Sequence, residues 1–281
     1  GASFEAFLVG GCVRDVIMGV KPKDYDITTN ATPEQIIALF PKTFYENTYG
    51  TVGVVTCGEE GLALCTDETV KIVEVTPYRL ESVYSDNRHP DAVTWSNKVE
   101  DDLARRDFTC NAIAYNPVTG EVVDPFHGQD DIQNKIIRAV GNPDIRFNED
   151  ALRLMRAIRF MSQLDFDITS VTRESIEKNA HLLNNISRER VRDEFVKLLM
   201  TDFPMRGLIM MKETSILQYS IPELERGIGV SQNQAHSFDV WEHNLRTLQH
   251  SADKKWPLHV RLSAVFHDIS KPETRRYSKE K

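Results

Sequence analysis

Residues 7–26 open with Phe7-Leu8-Val9-Gly10-Gly11-Cys12-Val13-Arg14-Asp15 and close with Asp24-Tyr25-Asp26. The apolar run Phe7–Val9 reads as a short strand, Cys12–Met18 as a turn or two of helix, and Tyr25–Ile27 as a second strand. Between the first strand and the helix, Gly10 and Gly11 let backbone N–H groups approach an anion, the helix N-terminus adds a favourable dipole, and Arg14 supplies a fork for phosphate oxygens. A Gly-Gly pair also makes an ordinary tight turn. Asp24 and Asp26, two apart in an extended segment, project from one face with Tyr25 opposite. Two carboxylates that close raise each other's pKa unless a cation lies between them. Mg²⁺ takes carboxylate oxygens together with substrate phosphates. An isolated Asp-x-Asp is more often a solvated turn; the glycine turn just upstream, on the neighbouring strand, shifts the reading to a nucleotidyl-transfer site.

Working outward, Thr32-Pro33-Glu34 opens a helix to Phe40, with Thr32 as N-cap and Pro33 at the first helical position. Val52–Thr56 and Val70–Val75 are rich in β-branched residues and read as strands. From Asn148 onward helical periodicity takes over, in Glu149–Leu164, Arg188–Met200, Met205–Lys212, Val240–His250 and Val260–His267. An α+β fold follows, a mixed-sheet head joined near residues 138–147 to an all-helical remainder. The expected divisions are a head over 1–138, a helical neck over 139–200 and a helical body over 201–281. The charged stretch Arg275–Lys281 reads as the edge of an incomplete final domain.

The chain has 281 residues, 41% hydrophobic and 27% charged, which excludes a disordered or fibrous protein. No run approaches the roughly 18 apolar residues of a membrane span, and no leader pattern opens the chain. Four widely spaced cysteines (Cys12, Cys57, Cys65, Cys110) make neither a disulfide scaffold nor a zinc ribbon, so a reducing cytoplasm is expected. A net charge of −8 argues against a bulk nucleic-acid coat protein while leaving room for a local basic groove.

At this point the run LVGGCVRDVIMGVKPKDYDITTNATPEQI, residues 8–36, resembles the signature of class II nucleotidyltransferases, the family of tRNA CCA-adding enzymes and bacterial poly(A) polymerases. Val73–Arg79 resembles the family strand with a third carboxylate, here Glu74. Glu100–Ala112 resembles its R-R-D-F-T-x-N-A block, and Asn148–Arg153 its E-D-x-x-R block. The resemblance spans most of residues 4–200. It implies two Mg²⁺ ions on Asp24 and Asp26, with Glu74 assisting, and a nucleotide site of Gly10, Gly11, Arg14, Arg105, Arg106, Asp107 and Asn111. It further implies CTP, ATP and a tRNA 3′ end as partners.

Asp150, Arg153, Arg156 and Arg159 share the spacing that aligns them on one helix face. Such a face commonly makes only ion pairs. Alternatively Asp150 accepts from the exocyclic amine of a base while Arg153 donates to a ring nitrogen or carbonyl, a pair that reads C and A and rejects G and U. The resemblance implies this choice without a nucleic-acid template; Arg156 and Arg159 would reach the triphosphate or hold the neck helix. Asp107 can accept a ribose hydroxyl. Arg105 and Arg106 follow the acidic Glu100-Asp101-Asp102, so a salt-bridged helix start is part of the same reading. The alternating charges of Ser187–Glu194 read as a solvated helix face or as a structural neck helix with a side touching tRNA.

The segment from Leu80 to Val93 is similar to the loop that enzymes adding the terminal A retain. His243 with His267-Asp268 resembles the ligand set of an HD phosphohydrolase domain, whose imidazoles and carboxylate suit a second divalent metal. Ser270 stands where that family often has Gly, and its remaining ligands would fall beyond Lys281. The expected function is CCA addition to tRNA. The alternatives are a poly(A) polymerase, a CC-only or A-only enzyme and, from another class, an HD phosphohydrolase or an inactive RNA-binding protein. Ala151, where poly(A) polymerases of the family carry Pro, argues for CCA addition.

Overall fold

The computed structural model describes residues 4–46, 50–56, 71–81, 93–231 and 237–274. They cluster into two compact units, one running through Asn142 and the other from Pro143. The first unit contains β1 (Ala6–Val9), α1 (Gly11–Ile17), β2 (Asp26–Thr29), α2 (Pro33–Leu39), β3 (Thr43–Tyr45), β4 (Val52–Val55), β5 (Ile72–Pro77), β6 (Arg79–Glu81), β7 (Val93–Trp95), α3 (Val99–Ala104), β8 (Ala114–Tyr115), β9 (Val122–Val123) and α4 (Gly128–Gln133). Seven of these strands form one mixed sheet in the order β3-β4-β5-β2-β1-β8-β9, in which only β2 and β5 pair in parallel.

Two registers matter for the site. Val9, the last residue of β1, lies opposite Asp26, the first of β2; Asp26 in turn lies beside Glu74 on β5. The second strand was expected over Tyr25–Ile27, but it starts at Asp26, and Asp24 lies in the bend before it. The side-chain alternation that fixes β5 is plain: Val73 and Val75 are buried with Ile36, Val52 and Val54, while Glu74 between them is exposed on the other face. The other face's core gathers Phe7, Val9, Tyr78, Val99 and Leu103. Thr32 caps α2 as expected, its hydroxyl accepting from the Gln35 backbone N–H while the Thr32 backbone N–H donates to Gln35 Oε1. The start of the strand expected from Val70 falls outside the described residues, as do Cys57, Cys65 and most of the Leu80–Val93 segment.

The second unit is helical: α5 (Pro143–Glu149), α6 (Leu152–Leu164), α7 (Ser170–Asn179), α8 (Arg188–Leu199), α9 (Pro204–Glu213), α10 (Ile216–Ser220), α11 (Pro222–Glu225), α12 (Val240–Asp253) and α13 (Leu258–Phe266). The single helix expected over Glu149–Leu164 is broken at Asp150, because the Asp150 carboxylate accepts the Leu152 amide at 3.1 Å and so starts α6 afresh. α6 buries Leu154, Met155, Ile158 and Met161, and α8 buries Val191, Phe195 and Leu198. Arg261 of α13, nearly inaccessible, donates to the Leu199 and Thr201 carbonyls at 2.8 and 2.7 Å, satisfying acceptors that the end of α8 would otherwise leave orphaned. Among the described residues, no helix is long and apolar enough to cross a membrane.

Candidate active site

The site in the first unit is built on the end of β1 and the start of β2. Gly10 follows Val9 with φ of 79° and ψ of −137°, a conformation that strongly favours glycine. A Cβ placed there would lie 2.9 Å from Arg106 Nη1 and 3.7 Å from Asp26 Oδ2, so the turn, the guanidinium and the carboxylate share one small space. Gly11 is next; a Cβ added there would meet Arg14 Nη2 at 3.5 Å, an ordinary contact.

Burial pushes the Asp26 carboxyl above the usual range; the Arg106 cation opposes that shift and Asp24 reinforces it. Glu74 is raised by desolvation, then by Asp26, Glu46 and Asp24. These acids therefore repel one another with too little positive charge nearby. Among the described residues, the three potential metal ligands whose atoms lie within 4.8 Å of one another are His243, His267 and Asp268, not the head carboxylates.

The arginines of the R-R-D-F-T-x-N-A block are held from behind. Asp102 is fully buried and binds Arg105 Nη2 at 2.6 Å and Arg106 Nη2 at 3.1 Å. Burial works against its charge, but the two arginines outweigh burial and keep its pKa below the usual value. The salt-bridged helix start and the site arginines are thus one arrangement. Arg106 Nε is buried with no partner. Behind it runs a second chain of bonds. Arg14, almost inaccessible, donates to Asp15 Oδ1 and, at 2.7 Å, to Asn111 Oδ1; Asn111 donates to Asp107 Oδ1 at 3.1 Å, and that oxygen also accepts the Phe108 amide. Arg14 is thus placed inside the unit with its donors engaged, and its position is that of a strut under the turn. Asp131, which accepts from Thr109 at 2.6 Å and from Arg138 at 3.0 Å, extends the support and was not singled out from sequence.

In the helical unit Asp150 is joined to Arg190 of α8, whose Nη2 lies 3.3 and 3.0 Å from its two oxygens. Arg153 reaches back to Glu149 Oε2 at 2.7 Å and to the Arg146 carbonyl; Arg146 holds the other Glu149 oxygen at 2.6 Å. Arg159 is buried and bound to Glu194 of α8 at 2.7 Å, with its guanidinium 4.1 Å above the Phe160 ring. Arg156 lies near the same ring and adds positive charge toward Glu194. The Arg159–Glu194 pair thus ties α6 to α8. Arg190 and Glu194 were read within the charged run Ser187–Glu194, as a solvated face or a structural neck helix; the three- and four-residue spacing of the buried Val191, Glu194 and Leu198 marks the inward face.

His243 on α12 and His267-Asp268 after α13 do converge. The two imidazole Nε2 atoms are 3.1 Å apart, and Asp268 Oδ2 is 3.3 Å from the second ring and 3.7 Å from the first. The same oxygen accepts Lys271 Nζ at 2.5 Å.

Residues 6–138 match the family model of the Poly A polymerase head domain, and residues 165–228 match one described as the probable RNA and SrmB-binding site of polymerase A. A CCA-adding enzyme of Ligilactobacillus salivarius is 45% identical over 218 residues, 78% of this chain and 51% of the relative. One of Geobacillus thermodenitrificans is 44% identical over 225 residues, 80% of this chain and 52% of the relative. The chain thus spans about half the length of these curated relatives. The crystal structure of the Bacillus stearothermophilus CCA-adding enzyme in complex with CTP superposes with a TM-score of 0.70 at 35% identity, covering 97% of this chain and 68% of that one. A Thermotoga maritima CCA-adding enzyme complexed with tRNA shares the fold, with a TM-score of 0.62 at 20% identity. On the strength of these matches and of the glycine turn, carboxylates and arginines that underlie them, the chain belongs to the nucleotidyltransferase family of the CCA-adding enzymes and poly(A) polymerase heads.

Proposed function

We propose that this protein adds C, C and A to the 3′ end of tRNA from CTP and ATP, without a nucleic-acid template. The observation that carries the reading is the space shared by Gly10, Asp26 and Arg106, with Glu74 in register beside Asp26. A phosphate chain needs close backbone approach and a cation, and a metal-bound phosphate needs carboxylates at the same place. The relatives' names, and the CTP bound to one of them, support the same substrates.

The acids fit a hard divalent cation. Asp26 is pushed up by burial and by Asp24 against the opposing charge of Arg106, and Glu74 by partial desolvation and by Asp26, Glu46 and Asp24, the electrostatics of oxygen donors short of positive charge. Asp24 and Asp26 would hold Mg²⁺, with Glu74 as the third carboxylate, and substrate phosphates complete such a shell. Bound there, Mg²⁺ supplies a lower pKa for the primer 3′-hydroxyl and neutralisation of the leaving pyrophosphate. Arg106 faces the triphosphate, its buried Nε offering a donor that lacks an acceptor in the protein. Arg105 shares its anchor on Asp102, and Arg14, Asn111 and Asp107 hold the turn and the ribose side. Asp150 and Arg153 select the base, and Arg156 and Arg159 keep the selecting helix on α8. A cytoplasmic setting suits the buried free thiols Cys12 and Cys110.

The test is extension of tRNA lacking its last three nucleotides, with labelled CTP and ATP offered separately and together. Two C additions with CTP, and a single A only when CTP is also present, are expected. Runs of A from ATP alone make the protein a poly(A) polymerase; CC without A, or A only on a CC-ended tRNA, makes it a partial enzyme. No incorporation at all by a chain that binds CTP sinks the assignment.

The convergence of His243, His267 and Asp268 favours one additional reading, a divalent transition-metal site. The Lys271 ammonium on Asp268 competes with it. Equilibrium titration with Mn²⁺ and Ni²⁺ decides: one bound ion lost in His243→Ala supports the site, and the same stoichiometry in that variant removes it.

A further inference from the structure

The strand registers place Val9, Asp26, Glu74, Gly53 and Phe44 in one row across β1, β2, β5, β4 and β3. The two ends of the row differ. At the β1 end lie the Gly10 turn and Arg106, the side assigned to the triphosphate. At the β3 end lies Phe44, 40% exposed. Its ring folds back over Gly53: a Cβ added to that glycine would sit 2.7 Å from Phe44 Cε2 and 2.8 Å from Cε1. The missing side chain lets the ring lie over β4, one strand spacing from Glu74, or about 5 Å. Two residues along, Val55 pairs with Ile72, which is 48% exposed on the face that carries Glu74. Covering Gly53 accounts for one face of the ring. The outer face, with Val55 and Ile72, forms an open apolar surface beside the carboxylate, and exposed Lys42 and Glu46 stand two residues to either side of Phe44.

We infer that Phe44 is the stacking platform for the last base of the RNA strand being extended, an inference that rests on the proposed nucleotidyl transfer at Asp26 and Glu74. In such a transfer the attacking and departing oxygens lie roughly in line, on opposite sides of the reacting phosphorus. With the triphosphate drawn toward Gly10 and Arg106, the 3′-hydroxyl comes from the other side of Asp26, over β5, β4 and β3. The terminal ribose then meets Glu74, and the base attached to it meets Phe44. Stacking suits a strand end that changes as it grows, because every base has a π-face and the ring holds each alike. A protein partner seated on the same surface would cover Glu74 and stop the reaction. Recognition is thus divided along one row of the sheet, by charge at the β1 end and by stacking at the β3 end.

The experiment measures kcat/KM for tRNA lacking its last three nucleotides, at saturating CTP, with the 3′-terminal nucleotide either intact or abasic. The chains compared are the parent, Phe44→Ala, Phe44→Leu and Phe44→Tyr, each also followed by thermal melting and sedimentation. On intact tRNA, Phe44→Ala should lower kcat/KM at least about fivefold, the low end of what one stacked base is worth, while KM for CTP stays unchanged. Phe44→Tyr keeps a ring and should match the parent. Phe44→Leu keeps an apolar cover on Gly53 without a ring and should fall with Phe44→Ala. On abasic tRNA the parent should drop to the level of Phe44→Ala, and that variant should lose nothing further, because the ring then has no base to hold. The inference is overturned if Phe44→Ala equals the parent on intact tRNA, if Phe44→Leu restores full efficiency, or if the loss persists on abasic tRNA. A parent that sediments as a dimer and a Phe44→Ala variant that sediments as a monomer of unchanged efficiency would make this face a contact between copies, which overturns it as well. No incorporation by the parent removes the nucleotidyl-transfer reading and this inference with it. Incorporation that is insensitive to Phe44 removes this inference alone.

Discussion

Asp26 and Glu74 of the sheet-based unit and Glu194 of the helical unit are in opposite electrostatic states. Asp26 and Glu74 are raised by burial and by neighbouring carboxylates, with Arg106 opposing the shift only at Asp26. Glu194 in the helices is far more deeply buried, yet Arg159, Lys197 and Arg156 outweigh burial and hold its carboxyl below the usual range. Charge left uncompensated destabilises a fold and is kept where a ligand will compensate it; charge that is paired is architecture. The contrast separates the carboxylates of the proposed metal site from the ion pairs that tie α6 to α8.

The sharpest way to break the comparison is Asp26→Asn. Losing a metal-holding carboxylate should cost several kcal/mol in the transition state, on the order of 10³-fold in rate. Stability should move the other way. A carboxyl whose folded pKa is raised contributes stability that is fully present below its unfolded value and is lost as pH rises through the folded value. At neutral pH native Asp26 is thus a liability, and the Asn variant should melt at or above the parent temperature. A marked drop in melting temperature, with transfer preserved, would make Asp26 part of the frame.

Glu194→Ala should do the reverse. It strands the buried Arg159 charge, at a cost of about 3–5 kcal/mol, or roughly 10 °C in melting temperature. The pH sign is opposite too. Glu194 has a lowered folded pKa, so its stabilisation is present above the unfolded value of 4.5 and disappears as pH falls through the folded value. The gap in melting temperature between the parent and Glu194→Gln should therefore narrow in acid; a gap that stays constant from pH 7 to acid refutes the ion-pair account.

Gly10→Ala lies between these extremes. The backbone conformation costs a side chain about 1–3 kcal/mol, and the added Cβ would sit 2.9 Å from Arg106 Nη1, displacing the guanidinium. Transfer and melting temperature should fall together. A fall in melting temperature with full activity would mean that Arg106 does not face the triphosphate.

How far the sequence carried this differs by region. Strand, glycine turn, helix and Asp-x-Asp were readable because each is a local pattern of apolar residues, special φ and turn chemistry within twenty residues. The parallel pairing of Asp26 with Glu74 was not, since register between strands 48 positions apart depends on which faces bury Val73 and Val75 against Ile36. The break in the long helix was missed because Asp150 was read for its chemistry and not as the acceptor of the Leu152 amide. Arg159 could be placed on a helix face from spacing, but that it binds Glu194 is a tertiary fact. Asp102 was read within a salt-bridged helix start with partners three and four residues on, but its burial was not, and Arg261 was read only within a helix, its carbonyl partner lying 60 residues away.

The smallest expected effect concerns whether Asp150 and Arg153 work on the same base. Asp150 is held by Arg190, and Arg153 reaches to Glu149 and the Arg146 carbonyl, so within the protein the two carry different ion pairs. A base placed between them would couple them: once Asp150→Ala has loosened its orientation, Arg153→Ala has less selectivity left to remove. The double variant should then lower the CTP-over-UTP affinity ratio by less than the product of the single effects, with a coupling of about 1 kcal/mol. Inorganic tripolyphosphate provides the control. It carries the charge of the nucleotide but no base, so its affinity should show much smaller coupling between the same two positions. Equal coupling for CTP and tripolyphosphate would mean that the pair communicates through the helix and its ion pairs. Full additivity in the CTP-over-UTP ratio would mean that the two residues do not read one base edge, and the helical frame would then hold a phosphate clamp, not a template.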